Sequence, residues 1–511
     1  MKPRHTLVAT LRRYSVAVIA ATAMCCCHPT AGLRQPDTAI LPTSFIPEDT
    51  TRVDTAGILP GTKADSLRRA YSALRIDSAG IASLRWWQIF NDPTLQTLLE
   101  RAVAHNRDLK AAAARVEEVR ELFGIAKADY YPHVSFTAEG QRETKWEHPS
   151  KSKSGGAPVA ERQAGNYSPD PQITLKLNVG WEINLWGKLT WARRQVAENY
   201  TATIDDERAM RMDVISRVAS TYFRLVALEN EYSIVRYALD NRRESMEKAR
   251  LRFEGGLTSE TVYQQARTDY LSAATLIPGI ERQRKMLRNA LALLTGSFSG
   301  IDTIAPTLNL ADVLPPTLPT GVPSHLLRQR PDLRAAEARM RAAADGVGVA
   351  YTDRFPSLYL SFSAGWWNSS FSRFFKSPYY YPIGGITGNV FDFGRKQREY
   401  RAAIARYDQA CHAYEQSLLG AFAEVRDAVA SYESYHLTAE TNRELTRSAA
   451  EYVRLAELQY HGGTLSFLDV LDARRALLNS SLDMSNALRD EYLALVNLYK
   501  ALGGGWEMPG E

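Results

Sequence analysis

RDLKAAAARVEEVRELFGIAKADYYPHVSF runs from Arg107 to Phe136, and PDLRAAEARMRAAADGVGVAYTDRFPSLYL runs from Pro331 to Leu360. At a constant offset of 224, Asp108 meets Asp332 and Leu109 meets Leu333, and Ala112, Ala114, Arg115 and Pro132 meet Ala336, Ala338, Arg339 and Pro356. Further along, the offset becomes 207. LWGK at Leu185 then matches DFGRK at Asp392, and LRFEGGLTSETVYQQAR from Leu251 matches LQYHGGTLSFLDVLDAR from Leu458. The 17-residue difference falls in the loop between two strands. Blocks that agree in order at such separation define an internal duplication.

Each half reads as helix, strand, loop, strand, long helix, glycine turn, helix. HVSFTAEGQRET (His133–Thr144) alternates Val134, Phe136 and Ala138 with polar residues, and QITLKLNVGWEIN (Gln172–Asn184) places Ile173, Leu175, Leu177, Val179 and Trp181 on one face. The second half gives SLYLSFSAGWW from Ser357, an aromatic loop, and YPIGGITGNVFDF from Tyr381 to Phe393. Strands of about 9 to 13 residues are long enough to cross a bilayer with tilt. No proline interrupts the chain from Leu189 to Phe253, where Met210, Val214, Val218, Tyr222, Leu225, Leu228, Tyr232, Val235 and Leu239 recur at helical spacing. A helix of that length is about 100 Å long. Its counterpart runs from Gly394 to Tyr460. The flanking segments Pro93–Tyr131 and Leu257–Leu294 read as single helices of about half that length, so two stacked end to end match one long helix.

Composition sets the outer limits. The chain has 511 residues, 45% of them apolar, which excludes a disordered chain. No long uncharged apolar run follows the N-terminus, so a polytopic helical membrane protein is excluded. Of four cysteines three are adjacent, Cys25, Cys26 and Cys27, which excludes a disulfide scaffold and a zinc module. Lys2, Arg4, Arg12 and Arg13 precede the apolar stretch Tyr14–Met24, the pattern of a secretory signal. Without those four cations the formal charge falls from +5 to +1, so no nucleic-acid surface is indicated. Cysteine directly after the apolar stretch suggests a lipoprotein whose first mature cysteine, one of Cys25, Cys26 and Cys27, carries palmitate-type lipid. An ordinary signal peptide with incidental cysteines is the alternative, since Met24 is not the small residue expected before a lipidated Cys25.

The resulting organisation is a signal region at 1–27, an extended arm at 28–84, a first repeat at 85–300, a Pro-rich linker at 301–323, a second repeat at 324–503 and a tail at 504–511. HExxH, P-loop, CxxC and GxSxG patterns are absent, and the nine histidines lack metal-ligand spacing. No enzyme, cofactor or metal reading has residues to carry it. His461 reads as a solvated turn residue, and Gly348, matching Gly124, as a close-packing glycine.

Three features remain. Gly255-Gly256 and Gly462-Gly463 stand where the long helices must reverse. With Leu257, Thr258, Ser259, Thr464, Leu465 and Ser466 they form either plain hairpin turns or a docking tip. Asp469 and Asp472 lie on one face of the returning helix, as helix-start carboxylates or as part of an acidic ring around an axis. Trp366, Trp367, Phe371, Phe374, Phe375, Tyr379, Tyr380 and Tyr381 crowd one loop, as a membrane-interface belt or a buried cluster.

Four membrane-length strands cannot close a barrel, and open edges are not viable in lipid. Two copies would pool eight strands and three would pool twelve, with the long helices continuing the barrel as a tube. WWQIFNDPTLQTLLERA, the duplicated blocks, the LWGK/DFGRK corners and YHGGTLSFLDVLDARRALL together resemble the TolC-like outer-membrane efflux factors, in the lipoprotein subgroup with the NodT-like proteins, over about residues 85 to 503. That resemblance implies an α+β membrane protein: a homotrimer with a twelve-stranded β-barrel, a helical barrel, and an equatorial domain of linker and terminal segments. It also implies a periplasmic adaptor and an inner-membrane pump as partners. Asp469 and Asp472 match the family's aperture aspartates, and Leu465 stands where some members carry a latching arginine. The function implied is a passive export duct in the outer membrane, gated at its periplasmic tip. The exit duct of a protein-secretion system and a poreless periplasmic scaffold are the alternatives.

Overall fold

The computed structural model describes residues 30, 32–37, 92–141, 172–298, 329–368, 371–389 and 391–504. In chain order the elements are α1 (Pro93–His105), α2 (Arg107–Ala128), β1 (His133–Gln141), β2 (Gln172–Ile183), α3 (Lys188–Glu254), α4 (Glu260–Ala274), α5 (Leu276–Thr295), α6 (Pro331–Thr352), β3 (Ser357–Asn368), β4 (Pro378–Thr387), α7 (Arg395–His461) and α8 (Phe467–Ala501). A 3-10 helix at Phe371–Lys376 joins β3 to β4. Both long helices, α3 and α7, have 67 residues and end within a residue of the expected bounds.

The flanking helices differ from the expected single rods. The first is divided at Asn106, whose backbone leaves the helical region at φ −57, ψ 133. Its Oδ1 accepts the backbone N–H groups of Asp108 and Leu109 at 2.9 and 3.1 Å, which starts α2, and its Nδ2 donates to the Leu294 carbonyl at 2.8 Å. A short amide side chain thus outcompetes the continuing backbone ladder. The other flanking helix is divided at Thr275, three residues before Pro278, which has no N–H to offer the Ala274 carbonyl.

The chain forms two compact units. One gathers Val119–Tyr200 and Met340–Ala410 and carries the sheet; the other gathers Gln35–Glu118, Thr201–Arg339 and Cys411–Glu511. The sheet is fully antiparallel in the order β1-β2-β3-β4, so each repeat supplies one hairpin and β2 joins β3 across the duplication. Among the described residues, β1 and β4 each have one free edge. His133 pairs with Gly180, and the same positions shifted by the two repeat offsets, Ser357 and Thr387, are also paired. The duplication therefore extends to hydrogen-bond register.

Register also sorts the faces. Val134, Phe136 and Ala138 align with Val179, Leu177 and Leu175, then with Phe362, Ala364 and Trp366. The opposite face aligns Ser135 and Thr137 with Asn178 and Lys176, then with Ser363 and Gly365. On it Ser363 donates to Asn178 at 2.7 Å and Asn178 donates to Thr137 at 3.3 Å. The last strand starts earlier than expected: Tyr379, Tyr380 and Tyr381 pair with Gly365, Ala364 and Ser363, and the strand stops before Gly388. Aromatic residues favour strands, whereas the Gly-Asn run that follows does not. The aromatic cluster accordingly divides. Phe374 is buried against Phe375, which meets Trp366 edge-on at 5.6 Å, while Trp367, Tyr380 and Tyr381 are exposed.

The core of the helical unit packs Leu95, Leu98 and Leu99 of α1 against Val218, Tyr222, Phe223 and Leu225 of α3 and Tyr492 and Leu495 of α8. The expected α3 seam is buried at Val214, Val218, Tyr222, Leu225, Leu228 and Val235; Met210 is exposed. Asp92 is buried and does two tasks. Its Oδ1 accepts Thr94 N–H at 2.8 Å to cap α1, and its Oδ2 accepts the Tyr222 hydroxyl. Burial first, and the Asp92 carboxylate second, push the Tyr222 phenol far above its ordinary value.

Candidate functional site

Both reversals are built the same way. After α3, Gly256 adopts φ +71, its N–H bonds the Phe253 carbonyl at 2.9 Å and the Leu257 N–H bonds the Arg252 carbonyl at 2.8 Å. After α7, Gly463 adopts φ +73, bonds Tyr460 at 3.0 Å, and Thr464 bonds Gln459 at 3.0 Å. These paired bonds are Schellman closures, and the left-handed position is one that a side chain strains. Gly255 and Gly462 precede the two caps and bond the Leu251 and Leu458 carbonyls, each at 3.0 Å. Leu257 is exposed, Thr258 half-buried, and Ser259 is the N-cap of α4 without a side-chain cap bond.

The second turn is more tightly fastened. Ser466 caps α8 in a capping box: the Asp469 N–H donates to Ser466 Oγ at 3.4 Å, and the Ser466 N–H and Oγ–H donate to Asp469 Oδ2 at 3.1 and 2.6 Å. Leu465 packs with Val470, Val453 and Tyr460 around Ala456 and Ala473, a hydrophobic staple across the cap. The position where some relatives of the resemblance carry a latching arginine is here part of the turn's own apolar packing. Asp469 is half-buried and committed to its helix start, whereas Asp472 is exposed, 3.9 Å from Arg475.

Sequence reading missed the polar ties behind the two glycine turns. Arg474 donates to Glu457 at 2.6 Å and to Ser245 Oγ at 2.7 Å, joining α8 to α7 and α3. Arg242 and Asp269 form an ion pair at 3.2 Å with both side chains almost fully buried. Burial pulls the Arg242 guanidinium below its ordinary value and pushes the Asp269 carboxyl up, each opposed by the other's charge. Nearer the helix middle, His436 of α7 meets the buried carboxylate of Glu491 at 2.7 Å, and that bond holds the imidazole pKa above its ordinary value. These partners are separated in sequence and share no motif. His461 is exposed at the end of α7, as expected. Cys25, Cys26 and Cys27 lie outside the described residues, as does the linker 301–323.

Comparison with known proteins gives the fold its place. The family model of outer membrane efflux proteins matches residues 98–297 and again residues 322–504, one match to each repeat. The chain belongs to that family: it is a channel protein of outer-membrane efflux and not an enzyme. Among its relatives is the pyoverdine export outer membrane protein OpmQ of Pseudomonas putida, 31% identical over 424 residues, covering 83% of this chain and 88% of OpmQ. The cation efflux system protein CusC of Escherichia coli is 30% identical over 424 residues, covering 83% and 88%. A crystal structure of CusC superposes with a TM-score of 0.74 at 28% identity, covering 83% of this chain and 95% of that one. The four strands and two long helices of this chain are thus one protomer's share of an efflux channel.

Proposed function

We propose that three copies of this chain close a twelve-stranded barrel in the outer membrane and continue it as a helical duct. That duct takes small molecules from an inner-membrane pump through a periplasmic adaptor. The observation that carries the reading is the sheet: four membrane-length strands, one face apolar, one polar, and both edges free among the described residues. Free edges are not viable in lipid, so strands must be pooled between copies, and only about twelve leave a lumen wide enough for cargo. Light scattering in detergent tests it; a stable folded monomer would end the argument.

The tip residues Gly255–Ser259 and Gly462–Ser466 are the proposed adaptor contact. Their bonds close the turns internally and leave Leu257 and Leu468 exposed for a partner. Gly463→Asp should abolish efflux while trimers still reach the membrane; normal pumping would show that the contact lies elsewhere. Asp469 and Asp472 are the proposed aperture carboxylates, six in a trimer.

Lipid anchoring rests on chain reach. The Tyr407 hydroxyl donates to the Arg34 carbonyl at 2.6 Å, and the Asp37 N–H donates to Glu415 at 2.9 Å, so this part of the arm lies on α7. Tyr407 is about 18 Å of helix from the start of α7 beside the sheet. The residues from Arg34 back to Cys27 span up to about 25 Å when extended. A lipid on Cys25, Cys26 or Cys27 can therefore enter the leaflet that the strands cross. Mass spectrometry of the mature N-terminus tests this, and an unmodified start after Cys27 would refute it.

A further inference from the structure

The half of the sheet away from the long helices carries aromatic residues on both faces, and a belt facing lipid accounts for only some of them. Trp366 and Tyr380 fall on the apolar face, paired with Leu175 and Ala364. Trp367, Tyr379 and Tyr381 fall on the other face, paired with Thr174, Gly365 and Ser363. That face is wet in the proposed duct, yet Trp367 and Tyr381 are 54% and 60% exposed. Clustered apolar area left open to water marks a binding surface. Lys176 belongs to the same group. It is half-buried, and it is the one lysine or arginine in the four strands. Register sets Lys176, Gly365 and Tyr379 in one row. Strands lie about 4.8 Å apart, so Lys176 and Tyr379 flank Gly365 at a backbone separation of about 9.5 Å. Gly365 gives the row a bare floor, and the gap is fixed, because a Cβ there would collide with the Leu175 carbonyl. Trp367 stands two residues on, about 7 Å further along β3. No carboxylate pairs with Lys176 among the described residues, and Glu139 lies on β1, outside the row and opposite Thr174. Arg373 and Lys376, both exposed, add positive charge in the 3-10 helix at the same end of the sheet.

We infer that Lys176, Tyr379 and Trp367 form a slot on the lumen wall for aromatic anions, and that planar rings bearing a carboxylate or sulfonate are a cargo class of this duct. The inference rests on the duct proposed above and deepens it by naming what passes. A ring entering the row stacks against Tyr379 or Trp367, since aromatic pairs settle with centroids about 4.5 to 7 Å apart, and its acid group meets Lys176 across the bare glycine. Each attraction alone is weak. An ammonium in a wet, salt-screened lumen holds a small aliphatic anion poorly, and a solvated ring holds a neutral arene poorly. Together they select molecules that carry both features, and the lysine disfavours aromatic cations. Three such slots at one depth leave the axis open. Binding that is favourable enough to enter and weak enough to leave is what conduction requires.

Current block in planar bilayers decides it. Naphthalene-2-sulfonate added on the barrel side should reduce the open-channel current at concentrations where methanesulfonate and phenyltrimethylammonium do not. Lys176→Gln should weaken that block about tenfold, the loss of one charge-assisted bond, and Lys176→Arg should keep it. Tyr379→Leu and Trp367→Leu should each weaken it about threefold to tenfold, with the trimer band on heat-modifiable gels unchanged. Glu139→Gln, outside the row, should not weaken it. Equal block by the aromatic and the aliphatic sulfonate, or block unmoved by Lys176→Gln or by both leucine variants, would overturn the slot and leave the duct standing. A folded monomer in detergent would overturn both.

Discussion

Asp469 and Asp472 lie one helical turn apart, yet only Asp469 makes hydrogen bonds to its own helix start. The difference separates two roles that the sequence left entangled. Asp469→Ala should lower stability by about 0.5 to 2 kcal/mol through loss of the cap, and should also remove charge from the proposed aperture. Asp472→Ala should remove charge alone, and Ser466→Ala the cap alone. Planar-bilayer reversal potentials in a salt gradient, read beside thermal unfolding, check the set. If carboxylates ring a narrow axis, cation selectivity falls with Asp472→Ala and holds with Ser466→Ala. An unchanged potential in Asp469→Ala, Asp472→Ala and their double variant would leave these residues as helix-end carboxylates only. His436 offers a second test. Its carboxylate partner Glu491, with Glu440 adding attraction and Arg443 opposing it, raises the pKa of the folded state. A raised histidine stabilises fully below about pH 6.5, its ordinary value, and the contribution is lost as pH rises through the folded value. Unfolding temperatures measured from acid to mildly alkaline pH should therefore drop across that window. In Glu491→Gln this drop should be missing.

At the scale of elements, Asn106 carries more than its place in an alanine-rich run announces. It ends one helix, begins the next, and ties both to the Leu294 carbonyl. Asn106→Ala should cost about 1 to 3 kcal/mol in chemical denaturation, because a half-buried carbonyl and the first N–H groups of α2 lose their partner together. A loss near zero would mean that the two helices merge into the single rod that periodicity alone suggests. The case shows where reading the sequence succeeds and where it stops. Long helices were legible because proline is absent and apolar residues recur at one period for many turns, and the turns because paired glycines interrupt that period. β1, β2 and β3 were legible by alternation. The start of β4 was not, because Tyr379, Tyr380 and Tyr381 read equally well as an aromatic loop until Gly365, Ala364 and Ser363 are seen opposite them. The same limit hid Arg474–Ser245 and His436–Glu491, whose partners are 229 and 55 residues apart. Such pairs follow from helix packing, which no local pattern encodes.

For the whole molecule, the two faces of the sheet carry the functional claim, since a barrel in lipid must be apolar outside and wet inside. Ser361 and Phe362 are neighbours near the middle of β3 and project to opposite faces. They sit at the same depth, so one substitution made at each compares lipid with lumen and little else. Phe362→Lys places an ammonium against the acyl chains and should cost about 2 to 4 kcal/mol near the midplane, enough to lower the amount of folded protein in outer-membrane fractions. Ser361→Lys places the same charge in water. It should leave assembly intact and shift single-channel selectivity toward anions, because three added cations would ring the lumen. Membrane fractionation with heat-modifiable gel mobility reads the first effect, and reversal potentials read the second. Equal tolerance at both sites would mean that neither face meets lipid, which is the outcome a periplasmic scaffold requires. Damage at Ser361 with tolerance at Phe362 would turn the sheet inside out. Only the asymmetric result, with assembly lost at Phe362 and selectivity moved at Ser361, is compatible with a duct.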